Sequence, residues 1–124
     1  MDRYLVVMLG AGLGGLARFI VGSEIMARYG GTFPLGTVVI NITGSFLIGV
    51  IMTLLTERTG AHPLWRLFLV TGILGGYTTF SSFEYETLVA VRTSTPRLAL
   101  FNVVGSVVFG YFAVWLGAVL AARS

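Results

Sequence analysis

The residues able to handle an ion are few in this chain, and they lie inside apolar stretches. Arg18 is about fifteen positions into the first of these. An ionisable residue inside a membrane span marks a functional site by default. Gly10, Gly14, Arg18 and Gly22 recur every four residues and so share one helical face. Small residues on such a face let another helix approach closely, so Arg18 is expected to point into protein or a vestibule. Two roles are open to it: an ion-paired or snorkelling anchor, with Glu24, Glu84 or Glu86 as partner, or a positive charge drawing anions to a pore mouth. Direct coordination fits less well, because a fixed charge would hold an anion too tightly to release it. Thr37, Asn41, Gly44 and Ser45 line one side of the second stretch, and Asn102, Ser106 and Gly110 are spaced by four in the last. An amide in hydrocarbon must find partners. Asn41 is therefore either glue between helices or a donor lining a hydrated path.

The third stretch carries the densest chemistry, Gly75-Gly76-Tyr77-Thr78-Thr79-Phe80-Ser81-Ser82-Phe83. Gly costs about 1 kcal/mol in a helix interior and Thr is a mediocre helix former, so the helix is expected to break near Gly75–Thr79. Irregular backbone at that depth persists only when buried in protein or facing a cavity. Freed carbonyls there would suit a cation, and freed N–H groups and hydroxyls an anion. Phe80 and Phe83 follow at i and i+3, on one face. An aromatic ring has a negative face and a positive edge, so two edges turned to a cavity would stabilise a small anion without a full charge.

The elements that must position these residues follow from composition. Of 124 residues, 56% are hydrophobic and 10% charged, against about 25% charged in an average soluble domain. The mean hydropathy is +0.91. A soluble protein this short could not bury so much apolar side chain, and a disordered chain would be polar. A span needs about 20 apolar residues. The reading is an all-α membrane protein with a single domain over residues 1–124, built from four transmembrane helices at about 4–26, 33–56, 64–91 and 97–122. Polar joints at Arg28–Gly31, Glu57–His62 and Arg92–Thr95 are each followed by a proline, Pro34, Pro63 or Pro96, suited to a first helical turn. No soluble catalytic domain fits in the remainder, so the chain is not expected to be an enzyme. The literal G-x-G-x-x-G at Gly10–Gly15 lacks the strand and the later acidic residue of a dinucleotide site.

The net charge of +3 comes with eight arginines, no lysine and no cysteine. The arginines are scattered, so the electrostatic footprint of a nucleic-acid binder is missing, as are thiol chemistry and disulfides. Arg3, Arg58, Arg66 and Arg123 fall on the side of the termini, and Arg28, Arg92 and Arg97 on the other. This near balance gives the positive-inside rule little to act on. Either finer details select one orientation, or the chain inserts both ways and pairs as an antiparallel, dual-topology homodimer.

The run Gly36–Phe46, containing Asn41, and the run Gly75–Phe83 resemble the Fluc (CrcB) fluoride channels of microorganisms. Gly15 and Arg18 fit that family's N-terminal pattern, and the resemblance covers essentially the whole chain. Ser82 stands where the family usually has threonine, and Phe19 where a tyrosine is common. The resemblance implies a passive, multi-pass channel in the cell inner membrane or plasma membrane. It would export fluoride through two pores per antiparallel homodimer. Phe80 and Phe83 would offer ring edges to fluoride and Asn41 its amide, with Thr37, Ser81, Ser82 and Ser106 along the polar path. Arg18 would shape a vestibule electrostatically. The backbone carbonyls of Gly75 and Thr78 from both subunits would hold a structural sodium ion on the dimer axis. The alternative is a proton-coupled exporter of the small multidrug or guanidinium type, which needs a membrane-embedded carboxylate in its first helix. Here the deep ionisable residue is Arg18.

Overall fold

In a computed structural model the described residues are 2–57, 60–93 and 96–123. Arg58, Thr59, Ser94 and Thr95, which belong to two of the expected joints, lie outside them. Every secondary-structure element among the described residues is a helix, with no strand. Helix α1 spans Asp2–Tyr29 and α2 spans Leu35–Glu57. The third apolar stretch is divided. Helix α3, Pro63–Arg66, passes into a π-helical segment, Leu67–Leu74, and then into the short helix α4, Gly75–Tyr77. Thr78–Phe80 is non-helical, and α5 follows over Ser81–Thr93. Helix α6 spans Pro96–Arg123. Three helices, α1, α2 and α6, are long and apolar enough to cross a membrane.

The joints behave as their residues dictate. Pro63 and Pro96 open α3 and α6 as first helical residues, where the missing N–H costs nothing. The His62 Nδ1 accepts from the Leu64 N–H at 3.1 Å and caps α3. Pro34 stands one residue before α2 instead of inside its first turn. Helix α1 continues through Arg28 and Tyr29, two residues expected in a joint, and Arg28 Nε pairs with Glu24 Oε2 at 3.5 Å one turn back.

Small residues set the packing. Gly49 of α2 and Gly117 of α6 interlock: a Cβ on Gly117 would fall 3.1 Å from the Val50 nitrogen, and one on Gly49 3.1 Å from the Ala118 nitrogen. Along α1, Gly10 and Gly14 seat directly on the π-helical segment, where a Cβ on Gly10 would lie 2.6 Å from the Phe68 carbonyl oxygen. The buried set is correspondingly small-sided, with Ala90, Ala99, Ala113 and Ala121 beside Ile40, Leu74 and Phe83. Close backbone approach replaces large side chains as the means of association, as expected where lipid competes for apolar surface. Large apolar residues such as Leu13, Phe19, Phe101, Phe109 and Phe112 are exposed, a surface suited to lipid and not to water.

Asn102 is the most deeply buried polar residue, at 1% exposure. Its amide nitrogen donates to the Thr87 hydroxyl at 2.9 Å, tying α6 to α5. The two halves of the divided stretch thus have different partners: α1 holds the π-helical segment and α4, while α6 holds α5. Helix α2 touches both halves.

Candidate functional site

The site begins where the helical chain stops. Gly75 still donates to the Val70 carbonyl five residues back, the widened turn of a π-helix. Thr78 is extended, at φ −82° and ψ 158°, and its N–H and hydroxyl both return to the Leu74 carbonyl, at 3.0 and 2.9 Å. Expected non-helical residues Gly75 to Tyr77 instead form a helical turn. A Cβ on Gly76 would lie 2.5 Å from the Ala11 carbonyl oxygen, so glycine there serves close approach to α1 and the departure from helix falls on Thr78–Phe80.

Two helices hold these residues from different sides. From α2, the Asn41 amide nitrogen donates to the Thr79 carbonyl at 2.8 Å, and its oxygen accepts from the Thr79 N–H at 2.9 Å. The side-chain amide thereby stands in for a paired backbone. It answers the obligation of Thr79 to satisfy both polar groups away from helix. From α1, Arg18 Nε donates to the Gly76 carbonyl at 3.2 Å. The Thr79 hydroxyl accepts from the Ser82 N–H at 3.2 Å and caps α5. Helix α2 is also joined to α4 by the Thr43 and Tyr77 hydroxyls at 2.9 Å.

Two cavities meet at Thr79. The first, about 410 Å3, is lined by Asn41, Ser45, Gly75, Thr78, Thr79, Phe80, Phe83 and Ser106 among others, none of them ionisable. The second, about 500 Å3, is lined by Arg18, Thr37, Thr79, Ser82 and Glu86 with Phe19 and small residues of α1 and α2. The Asn41–Thr79 pair is therefore the partition between an uncharged cavity and a charged one. The Phe80 and Phe83 rings are 5.9 Å apart at an interplanar angle of 49°. Phe83 is buried at 7% exposure whereas Phe80 is 73% exposed.

The expected site residues thus divide. Asn41, Phe80, Phe83, Ser106, Gly75 and Thr78 surround the first cavity, and Arg18, Thr37 and Ser82 the second. Ser81 is exposed and lines neither. Arg18 bonds to a carbonyl, and Glu24, one of the carboxylates considered for it, is engaged by Arg28.

Two further residues shape the site. Thr79 matters through its backbone, whose freed carbonyl and N–H, expected from the helix break, are both taken by Asn41. Glu86 enters the second cavity with a buried Oε1 that has no hydrogen-bond partner among the described residues. Glu86 is one of the carboxylates expected as a partner for Arg18, and it lines the same cavity.

A family model described as CrcB-like protein, Camphor Resistance (CrcB), matches residues 5–118. A protein of Solibacter usitatus named fluoride-specific ion channel FluC is 58% identical over 121 residues, covering 98% of this chain and 99% of that one. Proteins of the same name from Acidobacterium capsulatum and Opitutus terrae are 48% and 44% identical, over 98% of this chain and 97% and 93% of theirs. Arg18, Asn41 and the residues from Gly75 to Phe83 all lie within the matched span, and the chain belongs to the CrcB-like family.

Proposed function

We propose that this chain is a passive fluoride channel. The observation that carries the reading is the first cavity: hydroxyls, one amide and two aromatic rings surround it without an ionisable group, in a chain 58% identical to a protein named as a fluoride-specific channel. Burying a carboxylate-sized ion idealises to about 20 kcal/mol, and smaller fluoride costs more. A pore must return most of that cost through donors and dipoles, yet bind weakly enough to release. The amide nitrogen of Asn41 carries two N–H groups. One is committed to Thr79, which leaves the other for the cavity. The ring edges of Phe80 and Phe83 and the Ser106 hydroxyl complete the donor set, with Thr37 and Ser82 on the vestibule side of the partition. An outward drive on the anion follows from an inside-negative potential, worth about 2.3 kcal/mol per charge per 100 mV.

The working unit in this proposal is an antiparallel homodimer with two pores, inserted in the inner or plasma membrane. Its support is the openness of the site in one chain: Phe80 is 73% exposed and Gly75 is exposed beside it. In this reading α3 through α5 form one broken spanning helix. The hydrogen bonds that hold the break use the carbonyls of Leu74, Gly76 and Thr79. Those of Gly75 and Thr78 stand outside that set, a donor set of neutral oxygens suited to a hard monovalent cation. These carbonyls from two copies would hold a structural sodium ion. A proton-coupled exporter would require a buried carboxylate in α1, but Glu24 is 65% exposed and paired with Arg28.

The test is efflux from liposomes containing only this protein. Valinomycin is expected to trigger release of fluoride and not of chloride. Absence of fluoride release from correctly folded dimers overturns the channel.

A further inference from the structure

Helix α1 donates a side-chain hydrogen bond to the turn that precedes the break. Gly10 and Gly14 seat the helix on the π-helical segment, and Arg18 continues the same face one turn further on. At that level the neighbouring helix has ended. The last carbonyls of a helix lack intrahelical donors and form the negative end of its dipole, where a cation is stabilising. Arg18 supplies that cation and donates from Nε to the Gly76 carbonyl. Gly76 also approaches the α1 backbone closely at Ala11, which brings its carbonyl within reach of that helix. Three residues on, Thr79 is fixed by Asn41. The break is therefore clasped from α1 at Gly76 and from α2 at Thr79, with Tyr77 and Thr78 between.

We propose that Arg18 is a positioning residue. It holds the Gly76 carbonyl so that Thr78–Phe80 keeps the geometry of the permeation site, and its effect on flux runs through that hydrogen bond and not through attraction of anions by its charge. The proposal rests on the channel reading above.

Side-chain length separates the two roles. Glutamine places an amide nitrogen the same number of bonds from Cα as Arg Nε, so Arg18→Gln keeps the donor and loses the charge. Arg18→Lys keeps a charge but has carbon at that position, and Arg18→Met keeps only length. Valinomycin-driven fluoride efflux is expected to stay within threefold of wild type for Arg18→Gln. It should fall at least tenfold for Arg18→Met, with Arg18→Lys below Arg18→Gln. Raising ionic strength from about 0.1 to 1 M shortens the screening length from about 10 to 3 Å and should leave that order unchanged. Lysine outperforming glutamine, or methionine matching wild type, overturns the proposal. If Arg18→Met fails to fold, the order of glutamine and lysine alone decides.

Amide hydrogen exchange at Thr78 and Thr79 reads the clasp without transport. It should be faster in Arg18→Lys than in Arg18→Gln, and equal rates in the two count against the clasp. Wild-type protein that passes no fluoride but shows this exchange pattern overturns the channel reading and leaves the clasp standing.

Discussion

At the scale of single residues, Asn41 shows how one side chain answers two demands. The readings open to it, glue or donor, are both available because a primary amide has more hydrogen-bonding groups than the Thr79 backbone consumes. Replacing it by a shape-matched apolar residue should expose the cost of the first role. Leaving a buried donor or acceptor unsatisfied costs about 1–3 kcal/mol. Asn41→Leu is expected to lower stability by an amount in that range, read as a lower midpoint of thermal unfolding in detergent. Fluoride efflux should drop at least tenfold. An unchanged midpoint would remove Asn41 from the support of the break. Asn102, the second amide side chain and the more deeply buried one, spends its nitrogen on Thr87 and lies beside Ser106. It joins α5 to α6 and lines neither cavity.

At the scale of elements, the seam between α1 and the π-helical segment decides where everything around the break lies. Gly10 and Gly14 are buried on that seam, whereas Gly12 faces open space. The contrast yields a paired prediction. Gly14→Ala would drive a methyl against the Ile73 carbonyl and to 2.9 Å from the Tyr77 nitrogen, and overpacking of this kind costs about 1–3 kcal/mol. Thermal unfolding should therefore shift downward and fluoride efflux weaken, since Arg18 rides on the same helix. Gly12→Ala meets nothing and gains helix propensity of up to about 1 kcal/mol, so its midpoint should hold or rise. Equal effects of the two would mean that the seam is not close-packed. The same close approach explains why Gly76 remains helical despite its poor propensity: tertiary contact outweighs a local cost of about 1 kcal/mol.

At the scale of the whole molecule, the near balance of arginines across the loops bears on how the chain enters the membrane. Reporter fusions at the C-terminus are expected to register both sides, and detection on one side only would sink the antiparallel dimer. The membrane character, the glycine faces and the cluster from Gly75 to Phe83 were legible in the sequence, because hydropathy, spacing by four and local propensity are properties of neighbouring residues. The joints were legible to within a few positions for the same reason, through Pro63 and Pro96. What the sequence could not contain was the pairing of distant groups. Arg18 meets Gly76 across 58 positions and Asn41 meets Thr79 across 38, and in both pairs the acceptor is a backbone carbonyl, which every residue carries and no side-chain pattern marks. The exposure of Ser81, the burial of the Glu86 oxygen and the division of the site into two cavities are likewise consequences of which helix packs on which half of the divided stretch. Local chemistry determined which residues were able to handle an ion. Only tertiary packing decided which of them share a cavity, because that depends on where the backbone stops being helical and what holds it there.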